Sequence, residues 1–237
     1  MKLNKLMIAM GVTTLLAGPA MAEISGNVAL TSNYMFRGVS QNDNSWAIQG
    51  GLDYAHDSGF YIGLWGSNVD DSFYNGSSLE LDTYAGWGGD VGPVSLDVGF
   101  LRYNYPDQTG GTSEVDTDEY HIGVSKDFGV ASVGFTAYYS PDWFNLGDGQ
   151  YYHLGVDVPV SSFTLSAAYG MTRIDENAAG VDDDYNDYSI GVSTEYMGLG
   201  FALTYVGVDG ESSTGRICAP GVAVCNETVT FTVSKSL

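Results

Sequence analysis

The chain has 237 residues and carries 29 Asp and Glu against 8 Lys and Arg, a formal net charge of −21. So acidic a chain offers no basic face to neutralise phosphate, which excludes a nucleic-acid partner. Intrinsic disorder is excluded too, because 44% of the residues are hydrophobic and 13% aromatic, whereas disordered chains are poor in both.

Residues 1–22 read as a secretory signal peptide. Lys2 and Lys5 give a basic start, and an apolar run over 6–17 follows, broken only by Gly11, Thr13 and Thr14. Ala20-Met21-Ala22 then places small residues where a signal peptidase reads, so cleavage is expected after Ala22. The run is too short to be a retained anchor. Residues 23–237 form the mature chain, expected as one domain. Beyond Ala22 no stretch is long and apolar enough for a membrane helix, and the mean hydropathy of the chain is −0.04.

The mature chain alternates in steps of two. Over 24–37 the even positions are Ile24, Gly26, Val28, Leu30, Ser32, Tyr34 and Phe36, and the odd ones are mostly polar, ending in Arg37. One apolar and one polar face make a half-buried strand rather than a helix. The pattern returns at 46–54, where Trp46, Ile48, Leu52 and Tyr54 oppose Gln49, Gly51 and Asp53. It continues at 60–64, 79–87, 94–100, 120–124, 133–139 and 152–158. Further segments cover 163–171, 188–192, 199–205 and 229–233. About twelve segments of roughly ten residues result, the length a tilted strand needs to cross an outer membrane.

The connections alternate in length. Those at 56–59, 88–93, 127–129, 159–162 and 196–198 are short, and those at 38–44, 70–77, 106–117, 141–149, 173–184 and 209–226 are longer and polar. Tight periplasmic turns and long extracellular loops have this asymmetry in bacterial outer-membrane barrels. The fold expected is therefore all-β, a closed antiparallel transmembrane β-barrel with both termini periplasmic. A soluble sandwich or lipocalin-like barrel also alternates, but about twelve strands would leave an interior too wide to fill readily. Aromatics also cluster at strand ends, as interfacial girdles do: Tyr34, Phe36, Tyr120, Tyr139 and Tyr152 on the loop side; Tyr54, Phe60, Trp87, Phe128, Phe163 and Tyr196 on the turn side.

On this register the lumen face carries Arg37, Asp53, Glu80, Asp82, Asp97, Glu119, Asp157 and Asp187. Seven carboxylates against one cation give a water-filled lumen a negative potential, which favours cations. Arg37 is expected to pair with a carboxylate on a neighbouring strand near the extracellular mouth. The acidic loops (Asp70-Asp71, Glu114-Val115-Asp116, Asp175-Glu176, Asp182-Asp183-Asp184) could hold divalent cations shared with lipid headgroups, but Asp182–Asp187 lacks the spacing of a dedicated calcium loop, and solvated loops are expected. Cys218 and Cys225, an even pair in an exported chain, read as a disulfide in the last long loop. No G-x-S-x-G, H-E-x-x-H or P-loop occurs, and His56, His121 and His153 have no nucleophile beside them, so neither an enzyme nor a cofactor or metal is expected.

The stretch Ile24-Ser-Gly-Asn-Val-Ala-Leu-Thr-Ser-Asn-Tyr-Met-Phe-Arg-Gly-Val-Ser-Gln41, with 46–53 and 60–68, resembles the proteobacterial TorF-type porins, formerly a conserved hypothetical family. The resemblance extends over nearly the whole mature chain and implies an outer-membrane porin-like protein in a Gram-negative bacterium. Outer-membrane barrels typically end in an aromatic, whereas this chain ends in Leu237, which keeps the apolar parity of Val229, Phe231 and Val233. The function expected is passive diffusion of small hydrophilic solutes. Its partners would be outer-membrane lipid, lipopolysaccharide and, during insertion, the barrel-assembly machinery. The alternative is a closed, side-chain-filled barrel whose acidic loops serve as receptor, adhesin or structural element.

Overall fold

The computed structural model describes residues 23–110, 114–176, 181–209, 215, 217–218 and 223–237. The expected signal peptide, 1–22, lies outside them. Twelve long strands close into one antiparallel barrel. In chain order they are Glu23–Thr31 (β1), then after a two-strand hairpin of Met35–Phe36 (β2) and Val39–Ser40 (β3), Ala47–Ala55 (β4), Phe60–Asn68 (β5), Leu79–Val91 (β6) and Val94–Asn104 (β7). Thr117–Asp127 (β8), Ser132–Ser140 (β9), Gly147–Val160 (β10), Phe163–Glu176 (β11), Tyr185–Tyr196 (β12), Leu199–Asp209 (β13) and Thr228–Ser236 (β14) complete it. Each long strand pairs with its neighbours in sequence, and β1 closes the seam against both β4 and β14. Closure leaves no row of unpaired backbone groups facing an apolar medium, where each would cost several kcal/mol.

Strand alternation sorts the side chains into two environments. Ile122 is 56% exposed on the outer face, while Glu119, three residues earlier on the inner face, is 2% exposed. The outer face carries Ile24, Val28, Leu30, Ile48, Leu52, Ile62, Leu64, Leu154, Leu165, Ile190 and Leu203, an apolar belt that water would not tolerate and a bilayer would cover. Buried polar residues, among them Asp53, Ser67, Glu80, Thr117, Ser140, Thr172 and Ser189, stand inside. This inversion of an ordinary soluble core is what the alternation in the sequence encodes.

The five short connections come down to tight turns, with positive φ at Gly59, Gly92, Gly129, Ser161 and the Met197-Gly198 pair. Several strands run longer than their apolar pattern. Strand β10 begins at Gly147 and β11 reaches Glu176, so the wall at the long-loop end extends past the apolar belt. Among the described residues the only helical piece is the short turn Ala223–Cys225, and no helix is long and apolar enough to cross a membrane.

The first strand corrects the sequence reading. Alternation suggested a strand over 24–37, but β1 ends at Thr31 and the chain turns into the barrel. Tyr34 is 7% exposed and Phe36 packs against the interior cluster, so neither belongs to the outer aromatic girdle. Tyr120 and Tyr139 at the long-loop end, and Tyr54, Phe60, Phe128, Phe163 and Tyr196 at the other, are exposed on the outer face. The break follows from a local polar network. Ser40 Oγ donates to Asn33 Oδ1 at 2.7 Å, the Tyr34 N–H donates to Asn42 Oδ1 at 3.1 Å, and the Gln41 N–H donates to the Tyr34 carbonyl at 2.8 Å. These short polar side chains offer the backbone a turn in place of a ladder.

Candidate functional site

The inner wall brings together aromatics and carboxylates. Cross-strand register places Tyr61, Gly86, Gly99, His121, Tyr138, Tyr151, Thr172 and Tyr185 in one inward-facing row around the barrel. Asp97 accepts from the Tyr61 hydroxyl at 3.1 Å and is hydrogen-bonded to His121 Nε2. Asp53 accepts from the Tyr84 hydroxyl, Asp157 from Ser166 Oγ at 2.6 Å, and Asp187 from the Tyr151 hydroxyl at 3.2 Å. The ring of Tyr84 lies against Gly63, where a Cβ would come within 2.4 Å of it. Glycine there lets a ring occupy wall space that any side chain would deny it.

The β2–β3 hairpin folds into the long-loop end. Its two-residue turn, Arg37-Gly38, has φ of 48° and 80°, the pair of positive values that a type I′ turn requires. Asn-Gly is the easy choice for such a turn, and Arg at the first position holds its backbone in a sparsely populated region. The hairpin crosses the mouth. Arg37 reaches β8, where its Nη2 donates to both carboxylate oxygens of Glu119 at 2.8 Å, and Tyr103 O–H also donates to Glu119 Oε1 at 3.2 Å. On its other side Val39 packs with Tyr185, Val208 and the Cys218–Cys225 disulfide, whose Cα atoms are 5.7 Å apart.

Aromatic rings fill the space around the hairpin. Tyr34 lies edge-on to Trp65 at 5.5 Å, Phe36 stacks with Trp143 at 6.0 Å, and Tyr74 stacks on Tyr105 at 4.1 Å. Trp143 and Phe144 come from the connection between β9 and β10, and with Ile217 from the connection before β14 five long connections contribute to one cluster. The Arg37 guanidinium sits over the rings of Tyr151 (4.1 Å), Trp143 (4.5 Å), Phe36 (4.8 Å) and Tyr138 (5.1 Å). Cation–π attraction of this kind strengthens with desolvation, and Arg37 and Glu119 side chains are 6% and 2% exposed. Burial, the largest single influence, acts to lower the Arg37 pKa, but Glu119 together with Tyr103 and Tyr151 more than offsets it and the guanidinium stays protonated. In the loops, burial followed by the charge of Glu80 pushes the Tyr34 and Tyr74 hydroxyls well above the usual phenol range, so both stay neutral donors.

Each carboxylate named from the sequence has a distinct setting. Glu80 and Asp82 are buried side by side on β6 within hydrogen-bonding reach of one another. Tyr34 O–H donates to Glu80 Oε1 at 3.2 Å, while Glu80 Oε2 and Asp82 Oδ1 face no donor among the described residues. Asp97 and Asp157 are half-buried farther toward the short-turn end, and Asp53 and Asp187 are buried. Arg37 is the correction: it stands on the hairpin tip, not on a strand, and Glu119 is across the barrel, not on a neighbouring strand. The rings of Tyr61, Tyr84, Tyr138, Tyr151 and Trp143 were missed. Their positions opposite the apolar parity were the signal for the strand members, whereas nothing in the connection 141–146 announced Trp143. Among the described residues no three His, Cys, Asp or Glu side chains gather as a metal site.

A family profile described as "Bacterial protein of unknown function (Gcw_chp)" matches residues 17–237. The chain belongs to this family. Its description assigns no activity, and no curated protein sequence matches the chain significantly. In fold this member of the family is similar to solved porins. The KdgM porin superposes with a TM-score of 0.56 at 8% identity, over 90% of this chain and 97% of that one. The NanC porin gives 0.55 at 8% identity, over 90% and 98%. At such identity the likeness is one of architecture: a closed twelve-stranded barrel.

Proposed function

We propose that the chain is a porin-like channel of the TorF type in a Gram-negative outer membrane, passing small hydrophilic solutes with a preference for cations. In this reading the long-loop end is extracellular, and the hairpin from the first loop is its stopper. The observation that carries the reading is the charge of the inner wall. Asp53, Asp97, Asp157 and Asp187 point inward, Glu80 and Asp82 are buried side by side and do not both carry full charge, and among the described inward-facing residues Arg37 is the single cation, neutralised by Glu119 alone. Carboxylates within about a Debye length of a solute, roughly 8–10 Å at physiological salt, attract cations and repel anions. The apolar outer belt supports a bilayer setting, and lipid, lipopolysaccharide and the barrel-assembly machinery follow as partners. Conductance in planar bilayers tests the reading. Under a salt gradient the reversal potential should show cation preference at low salt that fades as salt rises. Asp97→Asn together with Asp157→Asn should weaken it. Anion selectivity would overturn the electrostatic part.

The buried stopper favours one rival: a closed barrel whose loops do the work as receptor, adhesin or structural element. The two separate cleanly, because a barrel that stays silent after the stopper is loosened is not a channel.

A further inference from the structure

We propose that the pocket holding Arg37 is a guanidinium-recognition site for solutes, with Arg37 as its built-in, displaceable occupant. The inference rests on the channel reading for delivery of the solute and names its substrate class.

Most of the pocket belongs to the barrel rather than to the hairpin. Glu119 stands on β8, Tyr138 on β9, Tyr151 on β10 and Trp143 in the connection before β10, and Tyr103 on β7 orients the carboxylate through its hydroxyl. Of the rings around the guanidinium only Phe36 travels with the hairpin. A carboxylate at hydrogen-bond distance with aromatic faces 4.1–5.1 Å from the carbon of a planar cation is the chemistry that selects guanidinium over a compact ammonium, whose charge is more strongly hydrated. The group that fills the pocket is carried not on the wall but on the β2–β3 hairpin, at the first position of a two-residue turn with φ 48°. Withdrawal of the hairpin leaves Glu119 buried and unpaired, and a buried carboxylate without a counter-ion is the state the fold tolerates least. A guanidinium arriving from outside supplies what Arg37 took away. Ligand and stopper therefore compete for one carboxylate, and by linkage each weakens the other.

The test uses the purified barrel in detergent and guanidinium chloride itself, at low millimolar concentration, with methylammonium chloride as control. Arg37→Asn keeps a residue that accepts the left-handed turn and empties the pocket. Guanidinium should raise the thermal stability of Arg37→Asn but not of the parent chain, and methylammonium should not. Binding to the variant by calorimetry should be about tenfold or more tighter than to Arg37→Asn/Glu119→Gln, as expected for losing a charge-assisted hydrogen bond. Equal responses to the two cations, or an equal response of parent and variant, overturn the proposal. If Arg37→Asn fails to assemble, Arg37→Gly, which the positive φ favours more strongly, carries the same test. The binding measurement needs no current. A barrel that conducts cations without a guanidinium response loses this site and keeps the channel; one that responds but never conducts keeps the site and loses the channel.

Discussion

Gly38 and Val208 pack so closely that nothing larger than hydrogen fits between them: a Cβ on Gly38 would lie 2.6 Å from Val208 Cγ2. The same Cβ would meet Asp187 Cβ at 2.8 Å, and Gly38 holds φ of 80°. Backbone and neighbours thus both demand glycine at the point where the hairpin touches β12 and β13.

Gly38→Ala should therefore lift the hairpin off β12 and β13 while the barrel itself persists. The strain is about 1–3 kcal/mol, confined to the stopper. Single-channel conductance should rise, and unboiled protein should still migrate differently from boiled protein on a gel. Unchanged conductance would mean that the hairpin does not restrict the pathway.

The two faces of β8 predict opposite tolerance to charge. Ile122→Lys, on the outer belt, should cost about 2–4 kcal/mol of folding stability in a bilayer, and Ser125→Lys, on the inner face, should cost less. Urea titration of refolding into lipid vesicles measures both. Equal costs would show that the outer belt does not face lipid.

Glu80→Gln should stabilise the loop end. Its amide can donate to the Asp82 carboxylate, which lacks a donor at Oδ1, while the amide oxygen keeps the hydrogen bond from Tyr34. The gain should be about 1–2 kcal/mol, seen as a higher melting temperature in detergent. A drop in stability would show that the two acidic side chains are held together by something the Gln cannot replace.

Cys218 and Cys225 should resist thiol reagents until reduced, since they are joined and nearly fully buried. Reduction opens a closure of sequence separation 7 and should weaken the local structure by about 2 kcal/mol. The effect should be felt at Val39, which packs on the bridge, so conductance should become noisier after reduction. Free thiols in exported protein would remove the bridge from the account.

The strands, their order and the two faces were legible because lipid and lumen impose a period of two on every segment. The stopper was not. Residues 33–37 continue the alternation of β1, and periodicity cannot distinguish a ring facing lipid from one packed inside the barrel, so Tyr34 and Phe36 read as girdle residues. Arg37 read as a strand residue for the same reason. Gly38 was the available clue, since glycine readily takes the positive φ that turns a chain back on itself. The contacts of Trp143 with Phe36 and Tyr103 join segments far apart in sequence, and no local pattern announces such a meeting.

The hairpin and its disulfide backing flank the seam from opposite ends of the chain: β2 and β3 follow β1, and Cys218 and Cys225 precede β14. The hairpin's contacts are thus among the longest-range in the molecule, and its backing comes from the connection that leads into the final strand, which pairs with the first. Assembly that closes the ring of the wall would therefore also bring the hairpin and its backing together. A half-assembled barrel would be an open trough with a loose tip, and only the finished cylinder can be shut.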